Sequence, residues 1–404
     1  MTARRRALPR PARSAFGAAV LFAAGALSSP VARAQMPFAP VTGRALALGG
    51  AAVAFGPDVA SAVDNPALAP EKSFAFALSA GLVTRENGDF FAPLRVVAGN
   101  DPVKLASGAD PQGYVDVVNA LHTLADPGNG MLGNGHVMLA AAHGGWELSY
   151  TDRAYSGFFA RVDLVHTALG ANPATSIAFN TSAAVSRALE LKDLALGKSF
   201  SFLEGHLAVG GAVHVLWGTT YVMEESAFTT DAQASPWTIA QRALDGLSRS
   251  HTDWSFDGGA VGSIGPVRVG AVWRGINEPS FPYAESAPSG ERGRSVTYGG
   301  QARIGATVQV PVVGLTFAAD YDLTANDTLV DGLKVRELGG GVEWEIVAVV
   351  VRAGASVNLE SPDRKPAFTG GAGVAIGPAK IDLGGWYRAN DGALGVTATA
   401  RFGI

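Results

Sequence analysis

The sequence predicts an all-β fold, a transmembrane antiparallel β-barrel of about 14 strands, and three observations predict it. The N-terminus carries an export signal. Beyond that signal no apolar stretch is long enough for a membrane-spanning helix. In its place, runs that alternate bulky apolar residues with small or polar ones recur along the chain, the signature of strands that face lipid on one side only. Composition agrees. Of 404 residues 48% are hydrophobic, only 16% are charged and 51 are glycine, against about 25% charged in an average globular chain. Such hydrophobicity excludes disorder. A net charge of −4 leaves no basic excess for nucleic acid. The absence of cysteine excludes disulfides, thiolate metal sites, iron–sulfur clusters and cysteine nucleophiles.

Taken in order, Arg4, Arg5, Arg6, Arg10 and Arg13 precede an apolar run from Ala15 to Leu27, and Ala32-Arg33-Ala34 follows as a small-x-small cleavage site. Residues 1–34 therefore read as a cleaved signal peptide, and the exported chain as a cell outer membrane protein. Residues 43–70 are not strand-like. From Ser73 to Thr84, Phe74, Phe76, Leu78, Ala80 and Leu82 alternate with Ser73, Ala75, Ala77, Ser79 and Gly81. A helical insert over 110–125 is predicted by Asp110 as N-cap, Pro111 at the first helical position, and Tyr114, Val117, Val118, Leu121 and Leu124 on one face. Leu207 to Met223 alternates over a length unusual for a globular strand. Ser235-Pro236 opens a second helical insert, 235–248, with Ile239, Ala240, Ala243, Leu244 and Leu247 clustered. Both inserts are expected to cap the barrel mouth or to shield loop backbone.

Further strands follow in Gly314–Thr324, Glu337–Ile346 and 349–359. Short turns at Gly144-Gly145, Gly265-Pro266, Gly377-Pro378 and Asn390-Asp391-Gly392 divide them, as at the periplasmic end of a barrel. The bulky parity, including Phe76, Phe317, Trp344 and Phe402, is assigned to lipid. A soluble β-sandwich would also alternate, but its outer parity should carry many Lys and Glu. Here that parity is mostly Gly, Ala, Ser and Thr with isolated charges.

Within 43–70, Gly49, Gly50, Ala51, Asp58, Ala62, Asn65, Pro66 and Ala67 form a pattern that resembles the N-terminal region of the long-chain fatty-acid transporter (FadL-like) superfamily of outer-membrane barrels. The helix after the first strand and Ser186-Arg187-Ala188-Leu189-Glu190 are more similar to its conjugal-transfer TraF-like branch. The resemblance implies that residues 35–71 plug the lumen, that 72–404 form a barrel of fourteen strands, and that hydrophobic molecules pass through it. Two departures stand out: Val63-Asp64 replaces an aromatic pair, and the chain ends in Ile404 instead of phenylalanine. A physical reason for the motif exists apart from the resemblance. A segment in a crowded lumen needs close backbone approach, which Gly49 and Gly50 permit. Asn65 precedes proline and is pushed out of the helical region, so its amide can fix the turn.

Enzymatic motifs do not survive inspection, and no catalytic, metal or cofactor residues are assigned. Gly197-Lys198-Ser199 has the tail of a P-loop, but Lys192 stands where the motif needs glycine. The seven histidines form no HxxxH pair. Asp320 with Asp322, and Glu343 with Glu345, are carboxylate pairs about 7 Å apart along one strand face. With Arg352 on the neighbouring strand, they read as lumenal charges pairing plug and wall. The expected function is a passive channel for small hydrophobic compounds, fatty-acid-like or aromatic, with membrane lipid and such a ligand as partners. The alternative is a non-transporting barrel that anchors or assembles a surface or conjugal-transfer apparatus with protein partners. An apolar lumen would favour the first, and a lumen sealed by charge pairs the second.

Overall fold

Alternation decides the architecture. In the computed structural model, which describes residues 36–167, 172–228, 247–361, 364–388 and 393–403, the alternating runs close into one antiparallel barrel. Its strands are β1 (Ala75–Asn87), β2 (Gly130–His143), β3 (Trp146–Arg161), β4 (Ala183–Phe202), β5 (Leu207–Ser226), β6 (Leu247–Ile264), β7 (Val267–Arg274), β8 (Gln301–Val310), β9 (Leu315–Asp322), β10 (Glu337–Ile346), β11 (Val349–Asn358), β12 (Ala367–Ile376), β13 (Ala379–Arg388) and β14 (Ala393–Gly403). Each pairs with its sequence neighbour, and β1 with β14 in a register that sets Phe76 opposite Phe402. Every strand thus has a partner on both sides, as a lipid-spanning sheet requires, although β6 pairs with β7 only from Gly258 to Ile264 and its upper part stands above that neighbour. The expected fourteen strands are thus present. The signal peptide at 1–34, the turn at 390–392 and Ile404 lie outside the described residues.

The two parities separate cleanly. Phe76, Phe317, Trp344 and Phe402 are 40–50% exposed on the outer face, while Ala77, Ser79, Ala318 and Asp320 on the other parity are buried. The wall is uneven in height. Strands β2 to β6 run 14 to 20 residues, whereas β7 to β14 run 8 to 11. One end of the barrel carries tight turns such as Gly144-Gly145, whose glycines have φ of +59° and +77°. The other carries the long loops.

The interior is filled by residues 36–70. This segment bonds to side chains of β1, β2, β4, β7, β8, β9, β10, β12 and β14, which is possible only from inside a closed wall. It includes the short helices α1 (Gly43–Ala47) and α2 (Val59–Ala62). Met36 lies near the long-loop end, where Gln301 Nε2 donates to its carbonyl. Pro70 lies at the short-turn end, where its carbonyl accepts from Gly145 N at 2.9 Å.

Three helices follow β1: α3 (Phe91–Gly99), α4 (Pro102–Ser107) and α5 (Pro111–Leu124). The last is the predicted helix, capped by Asp110 Oδ1 accepting from Gly113 N at 2.9 Å. The helices do not sit over the mouth. Their core of Phe90, Val97, Leu105, Tyr114, Val117, Leu121 and Leu124 packs on Met131, Phe158 and Ala160, which belong to the outward parity of β2 and β3. They clothe the part of the tall wall that rises above its neighbours. The second insert, 235–248, falls outside the described residues except for 247–248, which open β6.

Candidate functional site

The lumen holds the residues that the sequence singled out, and their geometry follows from crowding. Gly49 and Gly50 take φ of +69° and +89°, a conformation that other residues resist. A Cβ on Gly49 would stand 2.2 Å from Ala355 O, and one on facing Gly339 would stand 1.8 Å from Gly49 O. Two glycine backbones therefore cross in contact, and neither can carry a side chain. Just beyond, Ala51 is buried with Leu48, Phe55 and Ala318. Asp320 Oδ2 accepts from Ala52 N at 2.7 Å and Val53 N at 3.0 Å. Arg303 donates to Gly50 O at 3.1 Å and, through Nε, to Asp322 Oδ1 at 2.5 Å.

Asn65 is fully buried. Its Oδ1 accepts from Ala67 N at 3.1 Å, and its Nδ2 donates to Val53 O at 2.8 Å and to Ala271 O at 3.4 Å. It thus caps the single turn Pro66–Leu68 and ties the segment to itself and to β7. Gly259 makes room for it, since a Cβ there would meet Asn65 Oδ1 at 1.9 Å. Asp58 caps α2 by accepting from Ala60 N at 2.9 Å.

The charges form a connected lattice. Arg44 donates to both oxygens of Glu343, at 2.9 and 2.8 Å, and Arg352 Nε donates to Glu343 Oε2 at 2.7 Å. Arg352 also pairs with Asp382 at 2.8 Å, Asp382 pairs with Arg401, and Arg401 with Asp58. The chain of ion pairs begins and ends on the inner segment, at Arg44 and Asp58, and runs through the wall between them. Opposite, Asp64 pairs with Arg274 at 2.9 Å, both side chains at most 3% exposed. Charges so buried are tolerable only when paired and hydrogen-bonded.

One grouping made from sequence needs correction. Glu345 shares the inward parity of Glu343, but it is exposed because β10 ends one residue later, at the Val347-Ala348 turn. It stands on the rim and joins no ion pair among the described residues. Sequence reasoning missed Arg44, Asp64, Arg274, Arg303, Asp382 and Arg401. All but the first two are isolated charges on the small-residue parity of their strands, and that was the available signal.

Towards the long loops the lumen turns apolar. Met36 packs with Tyr155, Leu189, Leu191, Leu216, Phe281, Tyr298 and Leu329. Arg187 donates to both oxygens of Glu291, at 2.9 and 2.7 Å, and of Asp331, at 2.7 and 3.0 Å, so one wall arginine ties two loops across the opening. Beneath them lies a small pocket of about 50 Å³, lined by Met36, Phe38, Leu46, Val83, Leu132 and Tyr155 among others. A second apolar pocket, of about 100 Å³, lies under α3 and α5 against β3 to β5.

Comparison with known proteins agrees with this architecture. The sequence profile of a family described as "F plasmid transfer operon, TraF, protein" matches residues 64–322. No curated protein sequence matches the chain. Among solved structures, a deltaS2 mutant of the TodX monoaromatic hydrocarbon channel superposes with a TM-score of 0.50 at 11% identity, covering 91% of this chain and 99% of that one. The Ralstonia pickettii toluene transporter TbuX gives 0.46 at 14% identity, covering 91% and 98%. The CymD monoaromatic hydrocarbon channel gives 0.48 at 10% identity, covering 90% and 97%. The TodX likeness is one of fold.

Proposed function

The chain belongs to the family of the F plasmid transfer operon TraF protein, and from that premise we propose that it is an outer-membrane channel for passive passage of small hydrophobic compounds, fatty-acid-like or aromatic. Residues 1–34 would be its cleaved export signal, 35–71 its plug, and the long-loop end its outer face. The observation that carries the reading is the apolar pocket inside the lumen, bounded by Met36, Phe38, Leu46, Val83, Leu132 and Tyr155. Its lining is predominantly apolar, as sites for hydrophobic ligands are, so a solute entering it would exchange water for hydrocarbon. TodX, with the same fold, is itself a monoaromatic hydrocarbon channel. No nucleotide, metal or redox step is required, since an apolar solute moves down its own gradient while the plug shifts.

A second reading has its own observation. The ion pairs from Arg44 to Asp58 and between Asp64 and Arg274 seal the middle of the lumen, which suits a scaffold for a surface or transfer apparatus.

Flux separates the two. Proteoliposomes bearing the intact protein should take up labelled toluene or dodecanoate faster than empty liposomes, and a polar sugar no faster. Leu132→Trp, which fills the lumenal pocket, should slow that uptake severalfold. Deleting residues 43–70 should make the barrel leaky in liposome swelling while leaving it inserted, because the wall's hydrogen bonds close among strands alone. If the intact protein moves none of these solutes faster than empty liposomes, the channel reading fails and the scaffold stands.

A further inference from the structure

We propose that the uncovered edge of β6 at the long-loop end takes up an extended acidic peptide as an added strand, its carboxylates turned towards Arg249 and Arg292. The inference does not rest on the channel reading, since a barrel that passes no solute could hold the same partner.

The tall wall has two flanks, and they end differently. On one, β1 covers β2 from Ala142, opposite Ala75, to Gly130, opposite Asn87. On the other, β6 follows β5 up to Leu247, opposite Val222, while β7 covers only Gly258 to Ile264. The lower part of the exposed flank is protected. Ile276 N donates to Phe256 O at 2.9 Å. Asn277 then stands in for a strand residue: its Oδ1 accepts from Phe256 N at 3.1 Å, and its Nδ2 donates to Trp254 O at 2.8 Å. Asp253 takes the Trp254 N–H on its own carboxylate at 2.9 Å. These bonds also fix the direction of the main chain. Even-numbered residues of β6 point N–H and C=O away from β5, and odd-numbered ones towards it, as alternation along a paired strand requires.

Above Trp254 the protection stops. Ser248, Ser250 and Thr252 turn N–H and C=O to the same side, all three are exposed, and no described residue bonds those groups. No proline interrupts the stretch from Leu247 to Trp254. A row of unpaired main-chain groups is a template for another strand. In such additions the main-chain bonds give affinity and alternate side chains give specificity.

Here the side chains select for acid. On the inward parity of the same stretch, Arg249 and His251 border a cleft of about 620 Å³, with Arg292 and Arg294 on its other side. The short hairpin of Ser280–Pro282 and Ser295–Thr297 lines it as well. Arg294 is matched by Asp331 at 3.2 Å. Arg249 has only Glu285, 3.9 Å away and 93% exposed, and Arg292 has no carboxylate among the described residues. A strand added to β6 sets alternate side chains directly opposite Arg249 and His251, so acidic residues there are matched and basic ones repelled. The same charge disfavours a second copy as the occupant. Antiparallel pairing of two β6 edges about Ser250 would bring two Arg249 side chains within diagonal reach and set one basic cleft against another.

The test measures binding to the purified full chain in nonionic detergent by fluorescence anisotropy. The probe is a labelled eight-residue peptide alternating glutamate and threonine, and a lysine–threonine peptide is the control. The acidic peptide should bind saturably and the basic one should not. Arg249→Gln should weaken binding about tenfold, the worth of one charge-assisted contact. Ser250→Pro should weaken it about tenfold or more, because it removes an edge N–H and bars a neighbouring strand while sparing the bonds to β5. Two further peptides carry N-methyl groups on the glutamate amides only or on the threonine amides only. One should lose binding and the other keep it, since only alternate amides face β6, a difference that charge attraction alone does not produce. These peptides, used on the wild-type chain, serve if Ser250→Pro does not fold. The proposal is overturned by the absence of saturable binding up to about 1 mM, by equal binding of the two methylated peptides, or by undiminished affinity in a folded Ser250→Pro. Self-association of the chain that Ser250→Pro abolishes and the acidic peptide fails to disperse would likewise overturn it, by giving the edge to a second copy.

Discussion

The two faces of β9 obey different physics. Outward, Phe317 is half exposed and touches no partner that it needs. Inward, Asp320 and Asp322 are fixed by two backbone amides and a guanidinium. The outer face is held by partition into an apolar medium, which asks only for the right class of side chain. The inner face is held by pairwise geometry, where each group has one acceptable neighbour. An error outside costs a transfer energy, and an error inside strands a charge.

The sharpest way to break this contrast is at the lumen. Arg274→Ala leaves Asp64 buried without its cation and should cost about 3–5 kcal/mol, read as a shift in urea unfolding from lipid vesicles. Adding Asp64→Asn should recover most of it, and a failure to recover would mean that the pair is not the source. On the outer face, Phe317→Arg should cost about 2–4 kcal/mol in the same assay, the range for a charge facing lipid in a barrel. Asn65→Ala should cost about 1–3 kcal/mol, because it unmakes buried hydrogen bonds without stranding a charge. Smallest of all, Thr316→Arg, one residue from Phe317 but on the inward parity at the rim, should cost under about 1 kcal/mol. Equal losses at 316 and 317 would sink the assignment of faces.

These faces were legible in the sequence because parity is local: Phe74, Phe76 and Leu78 announce a lipid-facing stripe within five residues. The short turns were legible because they too are local, whereas the total of about fourteen needed, besides the alternating runs, the preference of single-chain barrels for even strand numbers. Partnerships were not, since Arg274 and Asp64 are 210 positions apart and nothing local marks either as half of a pair. Asp64 had stood out only as a departure, occupying a place where the resemblance expected an aromatic residue. Asn65 was legible in kind, as a turn-fixing amide, but its bond to Ala271 was not. Helices α3 and α4 escaped because Pro93 and Gly99 interrupt the one and the other is six residues long. The position of α5 outside the wall depends on β2 and β3 outreaching their neighbours, a difference in length that alternation alone does not measure.

The covalent link between the inner segment and β1 has a kinetic consequence. Only residues 71–74 separate the last lumenal residue from the first strand. If the segment were drawn aside, its return would be an intramolecular event at the millimolar or higher local concentration of a short tether. Any open state would then be brief, closed by the protein's own chain and insensitive to dilution, and its lifetime would be set by how fast the Arg44-to-Asp58 bridges re-form.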